Sequence, residues 1–373
     1  MHSNRTRAIN ILHFRKTDRL PAVHFGYWTE LIEEWAALGH IPRDFVGRWG
    51  DGGDTDRELD KLLGWDHNWS VTFGGDMGLR PQFERKVLEK LPDGFLRVQN
   101  GDGLIERVKE GAQGIPAEDD YQLKDRKAFE ELYKPKMRYS DDRVDWAFFR
   151  NFNAGREKYD CPVGLWAGSV LGSIRNMFSI VGLSYALADD YELVAEIVDT
   201  YADMQYKVAE KVLSTGARFD FAHFWEDVCF KNGPLISPVM FEDLCAKHYK
   251  RMAALLNAHG VDIISLDCDG VTDRLLPVWV ENGVNTMFPI EVGTWGDQFA
   301  AARKKYGNKV LGVGGMDKTV LLRDRKAVDA EIERLRPLIA LGGFVPCPDH
   351  RLMPGTKWEL LQYYIEAIKN VKF

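Results

Sequence analysis

The chain has 373 residues, of which 45% are hydrophobic and 28% charged, the composition of an ordinary globular protein with a large core. A formal net charge of −7 and the lack of a basic tract argue against a nucleic-acid-binding protein. Five irregularly spaced cysteines, no signal-peptide pattern and no apolar stretch near the roughly 18 residues of a membrane span predict a cytoplasmic protein that does not enter a membrane.

The N-terminal part of the chain is predicted to alternate between helices and short buried strands. Residues 6–14 have the pattern of a short helix, and residues 20–25 that of a buried strand that ends at Gly26-Tyr27-Trp28. Helical patterns follow over residues 29–38 and 58–63. The aromatic side chains at the end of the first strand are therefore candidates for the wall of a pocket.

A different pattern begins near residue 80. Residues 83–108 alternate apolar and polar side chains and are interrupted by Pro92-Asp93-Gly94 and Asn100-Gly101-Asp102-Gly103, which are typical of hairpin turns. We predict an inserted antiparallel β-meander over about residues 79–115, within a single domain of residues 1–373. A surface decoration is the simpler interpretation of this meander, although it could also form one wall of the site.

Two strands are predicted in the middle of the chain. One covers residues 162–166, and the other, over residues 219–225, alternates strictly and ends on Glu226-Asp227. The alternation places His223 on the same face as two aromatic residues, so a core histidine is the better interpretation. The helix that follows the first of these strands carries Arg175, a candidate for the pocket wall.

The C-terminal third repeats one arrangement four times: an apolar run that stops at polar, chemically reactive residues. Each run follows one helical pattern and precedes another, and such alternation indicates parallel strands. Parallel barrels collect catalytic groups at the carboxyl ends of their strands, so we expect one site built from several strand ends. The residues that follow the four runs are Asp267-Cys268-Asp269-Gly270, Glu291, Gly314-Gly315-Met316-Asp317-Lys318 and Cys347-Pro348-Asp349-His350.

Short motifs follow one another in a fixed order: Thr17-Asp18-Arg19-Leu20-Pro21, Trp225-Glu226-Asp227 with Gly233-Pro234-Leu235-Ile236-Ser237-Pro238, Asp267-Cys268-Asp269-Gly270, Gly314-Gly315-Met316-Asp317-Lys318, and Pro348-Asp349-His350 with Pro354. In this order they resemble the uroporphyrinogen decarboxylase superfamily along nearly the whole chain. The resemblance implies an α/β fold, a (β/α)8 TIM barrel, in agreement with the alternation above. It implies either cofactor-free decarboxylation of a tetrapyrrole or zinc-assisted methyl transfer between a methylated corrinoid protein and a thiol such as coenzyme M.

The chain departs from that family at two places. The decarboxylases have a basic N-terminal loop that holds substrate carboxylates, whereas this chain has Phe25-Gly26-Tyr27-Trp28-Thr29-Glu30 there, which argues against a polyacidic porphyrinogen. The methyltransferases bind zinc through a His-x-Cys-Gly strand end and a later cysteine. At those positions this chain has Asp267, Asp269 and His350, so the match is to the positions of the ligands and not to their type.

Two carboxylates, Asp267 and Asp269, are central to a predicted metal site. They lie two residues apart, so on a continuing strand they point the same way and repel unless they share a cation or a proton. With Glu226 and His350 they form a set of three carboxylates and an imidazole, which suits Zn²⁺ or another divalent metal. The predicted metal ligands are Glu226, Asp267, Asp269 and His350, with Glu226, Asp269 and His350 as catalytic residues. The alternative is a hydrogen-bonded polar cluster that closes the barrel mouth without a metal.

The predicted function is metal-assisted movement of a methyl group between a corrinoid, either methylcobalamin or a corrinoid protein, and a small acceptor molecule, within a demethylation system. One alternative is a decarboxylase in which His350 and Asp269 act without metal. Another is a non-catalytic corrinoid- or tetrapyrrole-binding protein. Dimers are common among similar proteins, so a homodimer is a further expectation. The residues predicted to bind the substrate or corrinoid are Tyr27, Trp28, Trp166, Arg175, Glu291 and Asp317.

Overall fold

Parallel strands form a closed ring at the centre of the computed structural model, which describes residues 2–109, 116–156, 159–296 and 299–372. The described strands are β1 (Val23–His24), β2 (His67–Asn68), β3 (Thr72–Phe73), β4 (Lys86–Lys90), β5 (Phe95–Gln99), β6 (Leu104–Lys109), β7 (Ala117–Tyr121), β8 (Gly164–Gly168), β9 (Phe221–Trp225), β10 (Cys229–Phe230), β11 (Gly233–Pro234), β12 (Ile264–Asp267), β13 (Thr286–Phe288), β14 (Leu311–Met316) and β15 (Phe344–Pro348).

Helices separate most of the ring strands along the chain. They are α1 (Asn4–Leu12), α2 (Thr29–Ala37), α3 (Asp54–Leu63), α4 (Arg126–Ala128), α5 (Trp146–Ala154), α6 (Gly172–Asp189), α7 (Tyr191–Ser214), α8 (Pro238–Ala258), α9 (Leu276–Glu281), α10 (Phe299–Tyr306), α11 (Arg325–Ala340) and α12 (Trp358–Lys369). Aspartates begin several of them: Asp190 accepts the N–H of Leu193 at the start of α7, a common N-cap. Among the helices of the described ranges, none combines the length and apolar character needed to cross a membrane.

The ring is built from eight strand positions. Seven strands form a parallel sheet in the order β15-β14-β13-β12-β9-β8-β3, and β1 pairs in parallel with β2. Because β2 pairs with β1 and β3 pairs with β8, these two short strands are halves of one interrupted strand. Beyond β1 and β15, Leu352 donates its N–H to the carbonyl of Gly26 (3.0 Å) and accepts the N–H of Trp28 (2.9 Å), which joins the two ends of the ring. The predicted α/β fold of the TIM-barrel type is confirmed.

Large aromatic side chains fill the interior of the ring. Trp69, between β2 and β3, stacks on Phe221 with ring centroids 4.2 Å apart, and Phe25 meets the edge of Phe288 at 4.5 Å. All four side chains are buried. Since side chains alternate across a strand, the residues at every second position along β9 and β12 face this interior, and those between them face the helices.

The region of the predicted insertion contains an antiparallel sheet, β4-β5-β6-β7, between Lys86 and Tyr121. Its last strand therefore lies beyond the predicted end of the meander, and residues 110–115 lie outside the described residues. β7 contacts α6 where Ser179, with φ of 66°, interrupts the helix: the Glu118 carboxylate accepts the N–H of Ile180 (2.9 Å). The sheet is thus attached to the helix that follows β8. That residues 1–373 form a single domain stays a prediction.

Candidate functional site

Two groups of possible metal ligands meet at the carboxyl edge of the ring and share one residue. Asp227, Asp267 and Asp269 form the first group, and Asp269, Glu291 and His350 form the second; within each group, one donor atom per residue lies within 4.8 Å of the others. Asp227 follows β9, Asp267 ends β12, Glu291 follows β13 and His350 follows β15. Four strand ends therefore bring four carboxyl groups and one imidazole together.

Asp269 and His350 are in direct contact. Nε2 of His350 lies 3.1 Å from Oδ2 of Asp269, while Oδ1 of Asp269 is buried and has no hydrogen-bond partner among the residues that the structure describes. The imidazole stacks on the indole of Trp28, with ring centroids 5.8 Å apart, and meets the ring of Phe25 edge-on at 5.3 Å. The aromatic residues that follow β1 thus fix the orientation of an imidazole that follows β15.

The other carboxyl groups of the two donor groups, Asp227, Asp267 and Glu291, have few positive charges near them to balance their negative charges. Burial, together with the charge of Asp269, raises the pKa of Asp227 to about 6 and that of Glu291 to about 8. The same causes raise the pKa of Asp267 well above its ordinary value. Main-chain groups offset this in part, since the Gly270 N–H donates to Glu291 (2.9 Å). Glu291 therefore retains its proton at neutral pH unless a cation replaces it.

Chelator-treated protein is expected to lose stability as the pH rises from about 5 to about 9. The folded-state pKa of Glu291 is near 8 against an ordinary 4.5, so its contribution is fully present below 4.5 and is lost as the pH rises through 8. Urea unfolding at several pH values measures this. Glu291→Gln is expected to flatten the dependence, and a saturating divalent cation to restore stability at high pH. An equal slope in the variant and the parent protein would contradict the assignment.

The structure does not bring Glu226 into either group, although the sequence predicts it as a ligand and a catalytic residue. Its buried carboxylate accepts the main-chain N–H groups of residues 170–172, at 2.6–2.9 Å, at the beginning of α6. It also accepts the hydroxyl of Tyr249 on α8 (2.7 Å). Burial raises the pKa of Glu226 in spite of these bonds. Glu226 thus joins α6 and α8 to the end of β9 and has no free lone pair facing Asp269.

Asp227, and not Glu226, is the residue after β9 that belongs to a group of possible metal ligands. Its φ of 46° lies in the left-handed region, which a non-glycine residue seldom adopts, and its carboxylate accepts the N–H of Asp269 (3.1 Å). The signal for it was available in the sequence. Asp227 continues the period-two series of Phe221, His223 and Trp225, whereas Glu226 falls on the opposite face.

Three residues of the predicted pocket wall lie close to this edge. Trp28 stacks on His350, as described above. Arg175 donates to the carbonyl of Asp227 (2.7 Å), and its guanidinium lies 5.7 Å from the ring centroid of Trp225. The ring of Trp166 lies 6.4 Å from that of His223, deeper in the barrel. Trp28 and Arg175 thus lie beside the acidic groups, whereas the contact of Trp166 is with His223.

Tyr27 and Asp317 belong to neither group of possible ligands, and their role in binding a substrate stays a prediction. Tyr27 is 1% exposed and packs against Trp35 of α2 and against Trp49. Asp317 accepts the N–H (2.9 Å) and hydroxyl (2.6 Å) of Thr319 and so caps the 3₁₀ helix of residues 318–322. Each side chain has a structural contact that turns it away from a ligand.

The cations that act on these carboxyl groups are already engaged. Arg351 donates to Asp51 (2.5 Å), Lys318 lies 3.6 Å from Asp349, and Arg175 bonds the Asp227 carbonyl. The charges of Arg351 and Lys318 lower the pKa of Asp267 and Glu291 respectively, and those of Arg175 and His350 lower the pKa of Asp227. The site therefore offers little to hold a substrate with several carboxylates.

A further group of possible ligands, His24, Asp56 and Asp60, lies near β1 and α3. Nδ1 of His24 accepts the N–H of Gly26 (3.0 Å), so the proton of the neutral ring is on Nε2, which lies 2.7 Å from Oδ1 of Asp60. A protonated Nε2 has no lone pair for a metal. In this protonation state the group is a buried contact between a neutral imidazole and carboxyl groups.

Comparisons with known proteins agree with this architecture. The family model described as uroporphyrinogen decarboxylase (URO-D) matches residues 166–371. A methyltransferase from Methanosarcina mazei superposes with a TM-score of 0.59 at 14% identity, over 99% of this chain and 99% of the other. A B12-independent methionine synthase from a Shewanella species, in complex with selenomethionine, gives a TM-score of 0.48 at 13% identity, over 94% and 98% of the two chains. No curated protein matches the sequence. At 14% identity, the similarity to the methyltransferase shows a shared fold and nothing about function. The TM-score of 0.48 for the methionine synthase is too low to support a conclusion.

Proposed function

Since the chain belongs to the uroporphyrinogen decarboxylase (URO-D) family, as the superfamily resemblance predicted, we propose that it is a metal-dependent enzyme that transfers a methyl group to a small acceptor. The fold is shared with a protein described as a methyltransferase, and we extend that function to this chain as part of the proposal. The acidic edge of the ring, and not the family alone, is the reason for choosing a metal-dependent reaction.

The observation that carries the proposal is the position of Asp269 in both donor groups, with one oxygen buried and unpartnered. Asp267 is only 7% exposed, and no hydrogen bond to its carboxyl exists within the described ranges of the chain. Unsatisfied buried carboxylates cost free energy unless they bind a proton or a cation. A set of oxygen donors with one imidazole nitrogen fits Zn²⁺, Mn²⁺ or Fe²⁺. The residues present therefore fit a divalent metal.

Asp269, His350 and Glu291 would hold the metal, with Asp267 and Asp227 beside them. A bound divalent cation lowers the pKa of a thiol that approaches it and so supplies a thiolate at neutral pH. The chain itself contributes position and shielding. Trp28 keeps the His350 imidazole oriented by stacking, and Arg175 holds the main chain at Asp227.

The methyl donor that we propose is a corrinoid, either free methylcobalamin or one carried by a small corrinoid protein. Support comes from the positions of Asp267, Asp269 and His350, which coincide with the ligand positions of the corrinoid methyltransferases that the sequence resembles. The thiol would lose its proton to become a thiolate, the S–CH₃ bond would form as the Co–CH₃ bond breaks, and the corrinoid would be left as Co(I). The protein would supply the geometry of the two reactants. A homodimer is part of the same proposal.

Metal-loaded protein mixed with methylcobalamin and a thiol, either coenzyme M or 2-mercaptoethanol, is expected to cleave the cobalt–carbon bond. The measurement is loss of the methylcobalamin absorption together with mass-spectrometric detection of the methyl thioether. Chelator-treated protein is the control and is expected to react at the uncatalysed rate. Equal rates with and without protein, for each metal tested, would overturn the proposal for a free corrinoid, and a purified corrinoid protein tests the other donor.

Decarboxylation is the second candidate, and the proton retained by Glu291 favours it. A carboxyl group with a pKa of about 8 is a proton donor at neutral pH and could protonate the carbon from which CO₂ departs. The engaged cations weigh against it, because a carboxylate substrate needs a free positive charge to hold it. Release of CO₂ from a porphyrinogen at the same rate with and without chelator would favour this alternative.

A further inference from the structure

A buried polar column leads from the barrel interior to the acidic edge. Nε1 of Trp69 donates to Oγ of Ser265 (3.3 Å), and Oγ of Ser265 lies 3.1 Å from Nδ1 of His223. Nε2 of His223 lies 4.0 Å from Oδ2 of Asp267. Trp69 and Ser265 are fully buried, and His223 is 2% exposed. A chain of donors and acceptors therefore ends at a carboxyl group that has no hydrogen bond to any residue in the described ranges.

The direction of the hydrogen bonds in this column follows from the chemistry of its members. An indole N–H can only donate, so Trp69 occupies one lone pair of the Ser265 hydroxyl oxygen. The hydroxyl hydrogen then needs an acceptor, and within the described residues the partner of Ser265 Oγ besides Trp69 is Nδ1 of His223. An imidazole that accepts at Nδ1 carries its proton on Nε2. The N–H of His223 thus faces Asp267.

We propose that His223 is a positioning residue whose Nε2–H orients the Asp267 carboxyl toward Asp269, and that Trp69 and Ser265 set the tautomer which makes this possible. The separation of 4.0 Å is longer than a hydrogen bond, and a small rotation of the Asp267 side chain would close it. The inference rests on the proposed function, in which Asp267 lies beside the bound cation. It gives a role to a histidine whose sequence pattern indicates only a core residue.

The test uses two amide variants that imitate opposite ends of the imidazole. Glutamine can place an N–H where Nε2 stands, whereas asparagine reaches only as far as Nδ1. We expect His223→Asn to weaken Co²⁺ binding about 10-fold or more, the size of effect typical for loss of a group that orients a metal ligand, and to change the visible absorption spectrum of bound Co²⁺. His223→Gln is expected to bind within about threefold of the parent protein, because it restores the donor.

Stability separates a positioning role from a packing role. In urea unfolding with chelator present, the two His223 variants are expected to be less stable than the parent protein by similar amounts, because each replaces a buried ring by a smaller amide. Ser265→Ala, which frees the tautomer, is expected to weaken Co²⁺ binding without matching the loss in His223→Asn. Equal Co²⁺ affinities and spectra in the two His223 variants would overturn the inference. If the parent protein itself binds no Co²⁺, Zn²⁺ or Mn²⁺, the proposed function fails and takes the inference with it; cation binding by the parent with no difference between the variants refutes the inference alone.

Discussion

Asp269→Asn is expected to lower divalent-cation affinity by more than about 100-fold, above the range for loss of an outer partner of a metal ligand, and to reduce methyl transfer to the background rate. Asp269 belongs to both donor groups, so its loss breaks both at once. Asparagine has nearly the same shape but lacks the negative charge, and its amide hydrogens would face a site meant for a cation. Isothermal titration with Zn²⁺ and Mn²⁺, alongside the methylcobalamin assay, measures the two effects.

Asp317→Asn is the matched control, because Asp317 follows a neighbouring strand at the same edge of the ring. Its Oδ1 accepts from the N–H and hydroxyl of Thr319, and an asparagine carbonyl can accept both bonds. Metal affinity and turnover in Asp317→Asn are therefore expected to stay within about twofold of the parent values, as for a change away from the site. Similar losses in the two variants would mean that general acidity of the edge, rather than the shared position of Asp269, holds the cation.

Glu226→Ala is expected to lower the free energy of unfolding by about 3–5 kcal/mol, because each buried donor left without its acceptor costs about 1–3 kcal/mol. The substitution leaves the N–H groups of residues 170–172 and the hydroxyl of Tyr249 without their acceptor. It also leaves a cavity between α6 and α8. Urea unfolding at pH 7 in the presence of chelator measures the loss free of any contribution from metal binding.

Glu242→Ala provides the comparison, since Glu242 is an exposed glutamate on α8, and it is expected to change stability by no more than about 0.5 kcal/mol. Glu226→Gln separates the structural role from the predicted ligand role. It keeps one acceptor oxygen and is expected to fold, with metal affinity unchanged. A large drop in metal affinity in Glu226→Gln, without a matching loss of stability, would restore Glu226 as a ligand.

Most of what could be predicted from the sequence came from two patterns: the alternation of side chains along a strand and the position of polar residues at strand ends. The convergence of Asp269 and His350 follows from the rule that carboxyl ends of parallel strands share one edge. Asp227 could have been found in the same way, because it shares the parity of His223 and Trp225 along β9. The capping role of Asp317 could also have been predicted, since an aspartate two residues before a threonine commonly caps a turn.

The hydrogen bonds between Glu226 and the beginning of α6 could not be predicted from these two patterns. It depends on the start of α6 lying against the end of β9 so closely that a Cβ on Gly172 would stand 2.0 Å from the Glu226 carbonyl oxygen. Such an approach is a property of how two loops pack in space, and no local pattern around Glu226 encodes it. The same holds for Tyr27 and Trp28, neighbours in sequence that differ in whether they meet the α2 helix or His350.

The two hydrogen bonds that join Gly26 and Trp28 to Leu352 bear on the order in which the site is assembled. Trp28 is synthesised long before His350, yet the two rings can stack only after the chain around Leu352 has paired with the chain around Gly26. Until then the acidic residues that follow β9, β12 and β13 lack the imidazole of the second donor group. Under the proposed function, the complete set of donors is therefore assembled only when the ring closes.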